Sequence, residues 1–330
     1  MSLRARSTQL LDAWARVWDQ REDPVVLAVI RVLVASVLLF DFWWIAHLGI
    51  VDVLFTPQEG GGFPDVMSRD PVPELYRWFP SSPSTAWAAY GVLVGALVCF
   101  GAGFLTPVSG LVAALVSAQL AQVLPLGDRG IDTLLRNVLV VLSFSACGRR
   151  FGVDALLFGT RREAPAWPRH LLILQLSVVY FCAGIQKTAL AWTPLGDLSA
   201  LFLILQDPSI AAFRFDWLSK VYPVTQLATA TTMVFEWSAG LVPLVYWFRY
   251  TRTRPGRLRA WFNTHRPLRG WVLLGAALHA GIALTMSLGI FPFAMLALYP
   301  ALLHPDELQR LFGRQDRAPQ PRREPDTLAS

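Results

Sequence analysis

The sequence predicts an all-α polytopic membrane bundle of seven or eight transmembrane helices. Three observations carry that prediction. The 330 residues are 54% hydrophobic and only 16% charged, where soluble domains carry about 25% charged residues. The mean hydropathy is +0.43. The charges that exist are gathered into short clusters between apolar runs, each long enough to approach the roughly 20 residues a spanning helix needs. This composition excludes a cytosolic globular domain and an intrinsically disordered chain.

Residues 1–23 are charged and carry Leu10, Leu11, Trp14 and Trp18 at helical spacing. They read as an amphipathic segment lying on the membrane surface rather than a cleaved signal. The membrane domain is expected over residues 24–308. Its spans are predicted at residues 24–48, 84–105, 107–124, 131–147, 168–190, 225–247 and 268–288. A short eighth stretch, 290–303, follows Pro292. Residues 309–330 are rich in Arg and Pro and read as a disordered basic tail.

The loops sort by charge. Arg4, Arg6, Arg16 and Arg21 precede the first span. Arg149, Arg150, Arg161, Arg162 and Arg169 lie between the fourth and fifth. Seven arginines, from Arg249 to Arg269, lie between the sixth and seventh. All fall on one side if the N-terminus is cytoplasmic, as the positive-inside rule requires. The long loops 49–83 and 191–224 carry few basic residues and are then external, the second as short surface helices. The net charge of +6 is explained by this rule, so nucleic acid is not an expected partner. The expected location is a plasma membrane, multi-pass, with the bilayer itself as the first partner.

Ionisable groups at membrane depth cost at least ~2.5–3.5 kcal/mol each on insertion scales, so each needs a partner or a purpose. Asp41 falls in the first span, Arg136 in the fourth with Asp132 at its mouth, and Gln186 and Lys187 near the outer end of the fifth. Glu236 and His279 fall near the midplane of the sixth and seventh. One polar pocket opening outward would collect them. Lys187 reads either as a snorkelling ammonium or as a general base, because a desolvated Lys loses its charge where Arg does not. Glu236 reads as a counter-ion to Arg136, a partner of His279 or a group orienting a bound head group. Cys99, Cys147 and Cys182 form no CxxC and the five histidines form no zinc spacing, so neither thiol relay nor metal chemistry is expected.

The run from Gln175 to Lys187 (Gln-Leu-Ser-Val-Val-Tyr-Phe-Cys-Ala-Gly-Ile-Gln-Lys), followed by Trp192 and Gly196, resembles the signature of HTTM proteins. These are bacterial relatives of the vitamin K-dependent gamma-carboxylase. Four further stretches match in order: Arg31 to Asp41, Phe151-Gly152-Val153-Asp154, Glu236 to Gly240 (Glu-Trp-Ser-Ala-Gly), and His279 with Gly289-Ile290-Phe291 and Pro292. The resemblance spans about residues 25–308. It implies an all-helical membrane fold, with Lys187 as the base that deprotonates a reduced isoprenoid quinone (menaquinol or a vitamin K-like quinol). Glu236, His279, Asp41, Arg136, Asp132 and Gln186 would then line the substrate site. Gln186 stands where the carboxylase has a second Lys, and the carboxylase's Asn-His pair near Ile131 and Asp132 is absent. A counterpart of the carboxylase's luminal domain is not expected in residues 309–330. Quinol or lipid chemistry is therefore expected rather than glutamate carboxylation. A second branch of the family implies a non-catalytic membrane partner in maturation or export of a secreted peptide.

Overall fold

A computed structural model describes residues 15, 18–161 and 163–311. Most of the expected amphipathic segment, including Leu10, Leu11 and Trp14, and residues 312–330 of the expected tail lie outside the described residues. All eight predicted stretches are helical. Five are single helices long and apolar enough to cross a membrane: α1 (Val25–His47), α4 (Pro83–Ala102), α5 (Thr106–Val123), α8 (Trp167–Gln186) and α13 (Pro267–Thr285). Between the first two lie the short α2 (Val51–Phe55) and α3 (Glu74–Trp78).

The other three stretches are shorter or broken. α6 (Gly130–Ser143) has 14 residues, about 21 Å of helix. The sixth run is interrupted: α10 (Tyr222–Ser238) and α11 (Val242–Tyr250) flank a 3₁₀ turn at Ala239–Leu241. Pro243 lacks the N–H that a continuous helix would aim at the Ala239 carbonyl. The eighth is α14 (Phe291–Leu298), which tightens into 3₁₀ at Tyr299–Leu302, where Pro300 removes another donor. Loop 191–224 holds α9 (Ala200–Gln206) and several 3₁₀ turns.

α1 runs through the middle. α4 and α6 pack on it and α5 packs on both of them, forming one half of the bundle. α8, α10, α13 and α14 form the other half. A single apolar core joins them, from Leu27, Ile30 and Val34 on α1 to Leu97, Leu135, Leu176 and Met295.

The basic end is knitted by charge. Strands β1 (Arg21–Glu22) and β2 (Ala164–Pro165) pair antiparallel. Arg169 is fully buried and bidentate to Glu22, both contacts 2.7 Å. Arg31, also fully buried, donates to the carbonyls of Cys147 (2.6 Å) and Phe151 (2.5 Å). Asp154, on the short α7 (Val153–Phe158), accepts from the backbone N–H of Leu105 (2.8 Å) and Thr106 (2.9 Å) and from the Thr106 hydroxyl (2.6 Å). A distant carboxylate thus caps the N-terminus of α5, whose own preceding residue offers no side-chain cap.

Helix α15 (Pro305–Leu311) takes in residues 309–311, so the helical chain continues past the expected start of the tail. Gln309 donates to Asp23 at 3.0 Å. The described chain therefore enters and leaves at the same end.

Candidate functional site

The predicted site residues do not share one pocket. They fall into three clusters, two of them adjacent.

The first is a seam between α8 and α10. Tyr180, Ala183, Gly184 and Lys187 sit at spacings of three, four and seven, one face of a helix. A side chain on Gly184 would place its Cβ 2.6 Å from Cδ1 of Trp237 and 3.1 Å from Cβ of Glu236. Only glycine allows this approach, and it brings Lys187, at the end of α8, onto Glu236. The ammonium donates to both carboxylate oxygens at 2.7 Å. It also lies 5.0 Å from the centre of the Trp192 ring, within cation–π range. The side chains retain 21% and 11% exposure, so the pair is shielded yet reachable. Glu236 is therefore the counter-ion of Lys187, not of Arg136. Lys187 is thus held in an ion pair rather than standing alone. Gln186 is exposed, and no side-chain hydrogen bond joins it to the pair among the described residues.

The second cluster is buried behind the first. The Tyr180 hydroxyl meets Nε2 of His279 at 2.5 Å and the Tyr299 hydroxyl at 2.8 Å. All three residues are buried. Phe235, beside Glu236, stacks on Trp271 at 4.3 Å and meets Tyr180 edge-on. Gly275 makes room here, because a Cβ would lie 2.2 Å from the Tyr299 hydroxyl. His279 Nδ1 is buried without a partner. A bare lone pair costs less there than an orphaned N–H, so the favoured arrangement has Nε2–H donating to Tyr180 and Tyr180 donating to Tyr299.

The third cluster lies in the other half, at the mouth of a cavity of about 380 Å³ between α1, α4, α5 and α6. Its walls include Leu38, Phe42, Leu93, Leu97, Leu120 and Leu139. Arg129 donates to Asp41 at 2.6 Å and to Asp132 at 2.8 Å. Hydrogen bonding to Asp132, opposed by burial and reinforced by Asp41, holds its guanidinium above the ordinary value. Arg136 is bidentate to Asp128 at 2.8 and 2.7 Å. Apolar walls under a charged mouth suit an amphiphile. This volume is typical of the smaller ligand pockets.

Sequence reasoning missed Arg129, Asp128, Tyr180 and Tyr299 as site residues. Arg129 was findable: it stands three before Asp132, and the two form the capping box that opens α6. Tyr180 and Tyr299 look like ordinary apolar-face aromatics until His279 is placed between their helices.

Comparison with known families matches residues 133–306 to the HTTM domain. No curated protein and no solved structure matches the chain. The match covers more than half of the sequence: the chain belongs to the HTTM domain family, and it is a helical membrane protein.

Proposed function

We propose that this HTTM protein carries out proton-coupled chemistry on a reduced isoprenoid quinone or a related hydroxylated lipid. The Lys187–Glu236 pair is its acid–base unit. The reading places the protein in a bacterial inner membrane with the basic end cytoplasmic, because Arg31, Arg150, Arg169, Arg249 and Arg269 gather at one end of the bundle. The pair then lies toward the outer face. The observation that carries the reading is the pair itself, shielded, partly reachable and backed by the Tyr180–His279–Tyr299 chain.

The chemistry follows from the charges. A quinol hydroxyl brought to the pair loses its proton to the Glu236 carboxylate, directly or through Lys187. The O–H bond of the quinol breaks and an O–H bond forms on the acid. The Lys187 ammonium stays beside the new oxyanion and stabilises it. That anion is the species to which dioxygen adds in the carboxylase that this family resembles. In this reading the cavity at Asp41, Asp132 and Arg136 binds the substrate rather than reacting with it.

A second reading is a non-catalytic membrane partner in maturation or export of a secreted peptide. It is favoured by the completeness of the pair: both carboxylate oxygens and, at 3.5 Å, the Ala183 carbonyl already receive the ammonium.

The test is purified protein in lipid, given menaquinol and oxygen, with quinone epoxide followed by mass spectrometry. Epoxide from wild type that is lost in Lys187→Met supports base catalysis. Well-folded wild type that makes no epoxide overturns the reading for menaquinol, and peptides that co-purify with wild type then support the second reading.

A further inference from the structure

Independently of that reading, the basic end holds a second cavity, about 290 Å³, between α11, α13 and the helix α12 (Arg257–His265). Arg249, Arg252, Arg266 and Arg269 line it, against a single acid, Glu307. Four positive charges face one negative charge. Glu307 shows how the site receives an anion: Arg269 donates to it at 2.6 Å, and Arg249 and Arg266 stand 3.7 and 4.0 Å away. Arg252 is exposed and forms no ion pair among the described residues. Helix α13 opens at this cavity with no side-chain cap, so its positive end adds to the field. One wall is apolar, with Val245, Leu268, Val272 and Leu303.

The depth of the cavity is set by α12. This helix is basic, with Arg257 and Arg259, yet it leaves Leu258 and Trp261 exposed at 58% and 49%. Exposed Leu and Trp three apart on a basic helix at the end of a membrane bundle lie at the headgroup boundary.

We infer that this cavity binds the phosphate of an anionic phospholipid. Arg252 and Arg266 hold the phosphate oxygens, and an acyl chain runs along the Val245–Val272 wall. An arginine cluster matches phosphate oxygens in geometry as well as charge. A basic pocket at the end of membrane helices, open beside an apolar wall, takes a headgroup rather than a soluble anion.

The test uses the full chain, purified in detergent and stripped of lipid, and titrated in native mass spectrometry. The probes are phosphatidylglycerol, phosphatidylcholine and inorganic phosphate. Arg252→Gln/Arg266→Gln is compared with wild type and with Arg77→Gln/Arg214→Gln, which removes two exposed charges elsewhere. The expected result is phosphatidylglycerol binding that weakens roughly tenfold or more in the first variant. The control pair leaves it unchanged and phosphatidylcholine binds weakly throughout. Equal binding in wild type and Arg252→Gln/Arg266→Gln overturns the inference. If millimolar phosphate displaces phosphatidylglycerol and its own binding is lost in the variant, the site is one for free phosphate, and the lipid assignment falls. Both variants are checked for wild-type thermal unfolding, so lost binding is not lost folding.

Discussion

Gly184→Ala should loosen the α8–α10 seam and part Lys187 from Glu236. The new Cβ would sit 2.6 Å from Cδ1 of Trp237 and 3.1 Å from Cβ of Glu236. Carbon atoms in contact prefer about 3.5–4.0 Å. Relief therefore requires about 1 Å of movement. Part of the relief comes from displacing the Trp237 ring, which is 55% exposed, and the rest needs the Glu236 Cβ to move with its helix. Overpacking of this kind costs about 1–3 kcal/mol. The expected loss is near 1 kcal/mol for Gly184→Ala and near 3 for Gly184→Val on the same scale. Thermal unfolding of the purified protein should show that order. A second readout follows the pair: a lipid-soluble acylating reagent should modify Lys187 faster in both variants, because an ammonium held by two carboxylate oxygens is protected. Adding Trp237→Ala should restore part of the stability of Gly184→Ala. Wild-type unfolding in Gly184→Val, or no rescue by Trp237→Ala, would refute the close-approach argument.

Two further outcomes follow from the basic end. Asp154→Ala removes three hydrogen bonds from the start of α5 and should destabilise the protein by about 1–2 kcal/mol in thermal or denaturant unfolding, with Asp154→Asn losing less. Glu307 should make the docking of α15 acid-sensitive. Burial alone would raise its carboxyl, but the hydrogen bonds from Arg269 and the His304 backbone, with the Arg249 and Arg269 charges, outweigh burial and pull it down to about 2 from the ordinary 4.5. A depressed carboxyl stabilises the folded state fully above its ordinary value, and that contribution fades as pH falls from 4.5 toward 2. Hydrogen exchange of residues 305–311, corrected for the intrinsic rate, should lose protection across this window in wild type and be nearly flat in Glu307→Gln; a flat wild-type profile would count against it.

The positions of the long apolar helices were legible in the sequence, and direction around each helix was not. The apolar runs and arginine clusters located α1, α4, α5, α8 and α13 within a few residues, but Glu236, expected nearer the midplane than Lys187, meets it directly. Which charge meets which depends on helix crossings, and those are set by small residues whose role shows only when two helices are present. Gly184 decides that Glu236 belongs to Lys187. Gly275 decides that His279 belongs to Tyr180 and Tyr299. Arg136 found Asp128 in the short loop between the 3₁₀ turn Pro125–Gly127 and α6, a local event that hydropathy does not register. The break between α10 and α11 was in plain view at Pro243, but a hydropathy window averages over it.

The extent of the family match bears on which cluster the family speaks for. Residues 133–306 contain Lys187, Glu236, Tyr180, His279 and Tyr299, so the ion pair and the aromatic chain behind it lie wholly within the shared segment. The cavity is different. Arg136 and Leu139 fall inside the match, but Asp41, Asp128, Arg129 and Asp132, with most of the apolar wall on α1, α4 and α5, fall before it. The family match therefore covers the Lys187–Glu236 seam and leaves out most of the cavity. If the two act on one molecule, the cavity charges should matter for substrate affinity and leave the chemical step alone. Removing Lys187 should do the reverse. That division, a change in KM against a change in kcat, is how the two halves of the bundle would be told apart once a substrate is in hand.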